Sequence, residues 1–216
     1  MIDERKMRIF VSAITLFFGA ASAEAEISAS EIWSECRPSA SCVIEYDHLS
    51  TQDVEPFLFL GRVVDSDHPQ WRKYRKAIRK FPDVQSCLAK EEQKKENPNL
   101  LKLDWEGGGY SSGVELCIYR ISRSLVTLDR VQSWMSYHDF RVVGYSRYRS
   151  ENFVSTGTNQ PVGNVSGYWT VQQYRERNPT LLWRFFEFDL IYSYGIVLGI
   201  SEEFKVVGAH VTMPTK

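Results

Sequence analysis

The order of apolar and polar positions divides the chain into an opening apolar block, a helix-rich first half and a strand-rich last third. Ile9 to Ala20 (IFVSAITLFFGA) is almost wholly apolar or small. Pro56 to Val64 is apolar and partly β-branched, which predicts a strand, and Asp65-Ser66-Asp67-His68-Pro69 punctuates it. Trp71, Tyr74, Ala77, Ile78 and Phe81 recur at helical spacing, predicting a helix with one apolar stripe that Pro82 stops. From Asp83 onward, Val84, Cys87 and Leu88 share a face and predict a second helix, running into the charged stretch Lys90 to Glu96. Val114 to Arg123 fits two templates. Val114, Leu116 and Ile118 alternate like a strand, while Val114, Cys117, Ile118, Ile121 and Leu125 keep helical spacing, with Ser112 and Glu115 as a capping box. Leu128, Val131, Trp134 and Met135 predict a helix capped by Thr127, and Phe140 to Tyr148 a strand behind it.

Ser150 to Gly167 is rich in Ser, Thr, Asn, Gly and Pro, the composition of a long surface loop. Tyr168 to Tyr174, Leu181 to Tyr194 and Phe204 to Met213 then read as strands. Helices early and antiparallel strands late predict an α+β fold, the helices packed on a C-terminal antiparallel sheet, within one compact domain over 24–216.

The opening block changes the picture of where this domain works. Arg5, Lys6 and Arg8 precede the apolar run, and Ala21-Ser22-Ala23 behind it fits the small-x-small rule for signal peptidase. Residues 1–23 are therefore expected to be a signal peptide; Met7 would make a tidier start, and Ala23-Glu24-Ala25 is the next cleavage choice. The run is shorter than the roughly 20 apolar residues of a spanning helix, so an integral membrane protein is not expected. Export to a periplasm or the medium suits four cysteines, an even number. Four cysteines allow three pairings; Cys36 with Cys42 is the easiest local closure, and Cys87 would then pair with Cys117. No Cys-x-x-Cys is present and the spacings match no common zinc arrangement, so no metal is expected, and no motif calls for a cofactor. Removing 1–23 takes away three basic and two acidic residues, leaving 23 against 25 and a net charge of −2. That balance argues against a nucleic-acid partner, which demands a strongly basic face.

Candidate chemistry is sparse. Gly109-Tyr110-Ser111-Ser112-Gly113 matches Gly-x-Ser-x-Gly and resembles the nucleophile elbow of cutinases and other α/β-hydrolases. The resemblance implies a secreted serine esterase with Ser111 as nucleophile, His210 as base and Asp189 as acid. The residues before the motif depart from it. Leu101, Leu103 and Trp105 alternate with Lys102, Asp104 and Glu106, as in an edge strand, whereas an elbow follows a buried central one. The local reading is a glycine turn that opens the next element. Asp65, Asp67 and His68 could hold a cation, or lie at the start of the following helix with Asp67 near its cap. Glu187 and Asp189 would share one face of a strand, as the paired carboxylates of a glycosidase do, or simply face solvent. His138, closing a helix, suits the favourable charge of a helix C-terminus.

The most distinctive surface feature is the basic face of the first helix, Arg72, Lys73, Arg75, Lys76, Arg79 and Lys80. Tyr145-Ser146-Arg147-Tyr148-Arg149 adds a Tyr/Arg strip of the kind enriched at interfaces. The basic helix and the Ser150–Gly167 loop as candidate contacts, with no complete catalytic motif, lead to the expectation of a non-enzymatic binding or inhibitor-type protein of the bacterial cell envelope. Its expected partner is an envelope protein or an anionic cell-wall or membrane surface.

Overall fold

The structure, a computed structural model, describes residues 56–109, 111–148, 159–177 and 193–213. The leader over 1–23, the Cys36–Cys42 bridge, Tyr110, Arg149, the first half of the 150–167 segment, and Glu187 and Asp189 lie outside the described residues.

The fold is α+β, with helices ahead of a C-terminal antiparallel sheet. A two-stranded hairpin opens it, β1 (Leu58–Phe59) against β2 (Arg62–Val63). The expected 56–64 strand is thus folded back on itself at Leu60 and Gly61, both at positive φ (50° and 78°), the backbone of a type I′ turn. Helix α1 (Trp71–Lys80) follows, then a short 3-10 turn (Gln85–Cys87), α2 (Trp105–Gly108), α3 (Ser112–Ser124) and α4 (Leu128–Tyr137). The sheet is a meander, β3 (Arg141–Arg147), β4 (Gly163–Thr170), β5 (Ser193–Ile200) and β6 (Val206–Thr212), in that order and antiparallel throughout, with α5 (Val171–Arg177) after β4.

Helix α3 is the centre of the molecule. Every residue from Gly113 to Ser122 is buried, which explains why its sequence fitted two periodicities: a helix covered on all sides has no polar face to mark the period. It packs along β6 on one side and against α1 on another. The buried bridge Cys87–Cys117 ties it to the 3-10 turn. Closing that 30-residue separation contributes roughly 3–4 kcal/mol in the chain-entropy model. Trp134, Trp169, Tyr74, Tyr194 and the helix's own Tyr119 are fully buried. Trp169 stacks on Phe140 at 4.2 Å and on Tyr194 at 5.3 Å.

Three expected elements are corrected. The helix from Asp83 is only the Gln85–Cys87 turn: Asp83 accepts from the Ser86 N–H at 2.8 Å, and Leu88 leaves to bridge Leu103. The expected loop up to Gly167 is already strand from Gly163. Its glycines are there for packing, since a Cβ on Gly167 would lie 2.9 Å from Met135 Cε, and one on Gly163 2.6 Å from the Tyr145 ring. The expected strand 168–174 ends at Thr170 and becomes α5. Thr170 and Gln173 cap it reciprocally, the Gln173 side chain accepting from the Thr170 N–H at 2.9 Å and Thr170 Oγ1 from the Gln173 N–H at 3.3 Å. The Thr127 cap of α4 is as expected, accepting from the Arg130 N–H.

Candidate functional site

Helix α1 presents two faces with opposite fates. Tyr74, Ala77 and Phe81 are buried and Trp71 and Ile78 pack against the core, so the apolar stripe read in the sequence is consumed by folding. On the far side, Arg72, Arg75, Lys76 and Arg79 stand at i, i+3, i+4 and i+7. At 100° per residue they fall within about 100° of helix surface, along about 10 Å of its axis. All four are exposed, and none has an ion-pair partner among the described residues. The helix carries no acid in its first turn, so Arg72 and Lys73 face the positive end of its dipole. The four cations also make four like-charge i,i+3 or i,i+4 pairs, costing together about 1–2 kcal/mol in an isolated helix. The stripe is therefore set against itself electrostatically.

The other two basic residues expected to bind are engaged elsewhere. Lys80 donates to the Gly107 carbonyl at 2.7 Å and lies over the Phe81 ring. Lys73 reaches inward to Glu115, with Nζ 2.7 Å from Oε2, and donates to the Tyr74 hydroxyl at 3.0 Å.

Glu115 is the site residue that the sequence concealed. Its place three residues after Ser112 suggested a capping box, but the α3 cap is Ser111 and makes no side-chain capping bond. Instead Glu115 is almost completely buried and collects groups from two other elements, α1 and β6. The Tyr74 hydroxyl donates to Oε2 at 2.7 Å and the Val211 N–H to Oε1 at 2.9 Å. His210 Nδ1 lies 3.0 Å from Oε1. Burial first, then the hydrogen bond and charge of Glu115, push the Tyr74 phenol well above its ordinary range, so it remains a donor. A buried carboxylate is tolerated only with such partners. His210 itself is nearly half exposed, 47% by side chain, and meets Phe59 edge-on at 6.1 Å.

The esterase constellation is not assembled among the described residues. Ser111 is exposed at the N-terminus of α3, a helical turn (α2) rather than a strand precedes it, and the sheet is antiparallel. The motif's glycine has a packing role: a Cβ on Gly113 would lie 2.2 Å from the Gly108 carbonyl oxygen and 3.2 Å from Phe81. His210 has a carboxylate beside it, but that carboxylate is Glu115.

The Asp65-Asp67-His68 segment is a turn. Asp65 accepts from the Asp67 N–H and His68 Nδ1 from the Gln70 N–H, while α1 starts at Trp71 without a side-chain cap, so Asp67 does not cap it. No group of three metal-ligating side chains occurs among the described residues. His138 is not a helix-end charge. It is buried among Trp105, Trp134 and Tyr137, its Nε2 has no hydrogen-bond partner, and burial, with Arg177 and Lys102 nearby, lowers its pKa to about 3. No described helix is long and apolar enough to cross a membrane. Compared with known protein families, curated proteins and solved structures, the chain matches none.

Proposed function

We propose that this chain is an exported protein of the cell envelope that docks onto an anionic cell-wall polymer through the α1 stripe. One observation carries the reading: Arg72, Arg75, Lys76 and Arg79 form a single exposed row with no ion-pair partner among the described residues, on a helix with no acid of its own. A polymer is favoured over a bilayer because α1 spends its apolar face on the core and has none left to insert. The buried Cys87–Cys117 bridge is compatible with an oxidising compartment, in keeping with the signal peptide expected over 1–23.

Inorganic polyphosphate is a convenient stand-in for such a polymer. Its affinity for the protein should fall with salt along a log–log slope of roughly −3, as for four released counterions on a single-stranded polyanion. The variant R72Q/R75Q/K76Q/R79Q should lose binding while keeping its circular dichroism. Binding that is insensitive to salt or to the four substitutions would refute the reading. Stronger salt-sensitive binding to phosphatidylglycerol vesicles than to polyphosphate would move the docking partner to the membrane surface, and binding only to poly-glutamate would move it to an acidic protein.

A further inference from the structure

Four described residues other than glycine sit at positive φ: Leu60, Val126, Asp139 and Phe204. Leu60, Val126 and Phe204 are also large apolar side chains left 55, 57 and 56% exposed. Each occupies a position whose turn chemistry calls for glycine or asparagine. Leu60 takes the first central position of the type I′ turn between β1 and β2, at φ 50°. Val126 follows Leu125, the C-cap of α3, at φ 64°. Phe204 ends the turn that joins β5 to β6, its N–H donating to the Ser201 carbonyl at 3.1 Å, at φ 57°. Bulky and β-branched side chains are costly in that backbone, and exposed ones gain little from the core. Neither turn geometry nor packing accounts for the three. They lie at one end of the molecule. Helix α3 runs beside β6, with Glu115 at the Val211 N–H and Arg123 3.4 Å from the Val206 carbonyl, so Val126 comes to the start of β6, beside the Phe204 turn. The Gly61 N–H donates to the Val207 carbonyl at 2.9 Å, which brings the Leu60 turn to the same end.

We propose that Leu60, Val126 and Phe204 are a three-point lipid anchor, by which this end of the molecule enters the headgroup layer of an anionic bilayer. The anchor goes beyond the polymer dock of α1 and does not depend on it. Three separate turn tips, each with one apolar side chain, fit a fluid that closes round them, whereas a protein partner would need a shaped recess for each. Charge favours an anionic surface. Four basic and three acidic residues lie within four positions of the three side chains, and Arg147, 3.4 Å from Glu202, makes five against three. The Arg147–Glu202 and Lys205–Glu203 pairs are exposed on both sides, so little keeps their cations from lipid phosphates. Tyr145, which meets the Phe204 ring edge-on at 5.7 Å, has the apolar body and polar tip that belong at headgroup level. Insertion is shallow, because the hydrocarbon interior would leave the polar backbone of these turns unsatisfied.

The test compares the chain in its exported form with the variant L60N/V126N/F204N, on vesicles of equal phosphatidylglycerol and phosphatidylcholine. Asparagine tolerates the left-handed backbone, so the variant should unfold at an unchanged or higher urea concentration. The stripe is common to both proteins, and the ratio of their vesicle partition coefficients therefore reads the three turns alone. The wild type should partition about 100-fold more strongly, the effect of three half-exposed apolar side chains leaving water. That ratio should persist at high salt while the absolute binding of both proteins falls. If the triple variant does not fold, Phe204→Asn alone should lower partitioning about 5–10-fold. Equal partitioning of wild type and variant overturns the anchor. A wild type that self-associates without lipid, where the variant does not, overturns it in favour of contact between copies. Polyphosphate binding should be the same in both proteins; its absence from both, with the vesicle ratio intact, overturns the stripe reading and leaves the anchor standing.

Discussion

Replacing His138 with Phe should change how stability depends on pH, and the size of the change follows from its surroundings. His138 closes α4 through its backbone, and its imidazole lies inside a shell of Trp105, Trp134 and Tyr137, with ring centroids 5.4, 4.2 and 5.2 Å away. Burial, then Arg177 and Lys102, bring its pKa from 6.5 to about 3 in the folded protein. In the unfolded chain it takes up a proton as pH falls through about 6.5. Between those values the unfolded state binds more protons than the native one, so stability is complete above about pH 6.5 and is lost as pH falls toward 3. At about 1.4 kcal/mol per pH unit, going from pH 7 to pH 5 costs about 2 kcal/mol from this residue alone. Phe fills a similar space, leaves no orphaned nitrogen and does not titrate. Urea unfolding of both proteins at pH 7 and pH 5 isolates the effect, because the other titrating groups are common to both. The wild type should lose about 2 kcal/mol more than His138→Phe over that interval. Profiles that stay parallel within about 0.5 kcal/mol would show that the folded protein accepts the proton, and would refute the account of the aromatic shell.

Two further outcomes test the framework that holds the site. Reducing the Cys87–Cys117 bridge, or replacing both cysteines with serine, should lower unfolding free energy by roughly 3–4 kcal/mol, seen as a lower urea midpoint. Gly113→Ala should cost about 1–3 kcal/mol, because the new methyl would meet the Gly108 carbonyl oxygen at 2.2 Å, and backbone yields less readily than a side chain. A Gly113→Ala protein with an unchanged melting temperature would mean that the α2–α3 junction is looser than its geometry implies.

How far the sequence disclosed all this depended on whether a residue's role was local. Helix α1 was legible because it lies on the surface and shows core and solvent different faces. Thr127 was legible because capping is decided within four residues. The Cys87–Cys117 pairing followed from cysteine count and spacing. Strand β4 was hidden, since Gly163 and Gly167 read as loop until Tyr145, Met135 and Phe140 are placed against them. Helix α5 carried a visible signal, Thr170 followed three residues later by Gln173, which the strand-like Tyr168-Trp169 ahead of it masked. Glu115 gave the opposite error. Its local pattern was a sound capping box, and its actual partners, Tyr74, Lys73, His210 and Val211, come from distant parts of the chain. The site was thus half legible: the stripe is a property of one helix, whereas the Glu115 cluster exists only once three elements meet.

The division of labour among the six basic residues of α1 has a consequence for how the protein can change. The buried Tyr74, Ala77 and Phe81 set the helix's rotation about its own axis, with Lys73 beside Glu115 and Lys80 on the Gly107 carbonyl at its flanks. The outward four contribute nothing to that setting. The charge pattern of the row can therefore drift, by natural variation or by design, through Arg72, Arg75, Lys76 and Arg79 without refolding the scaffold beneath. The same exchange at Lys73 would instead remove the cation beside the buried Glu115 carboxylate.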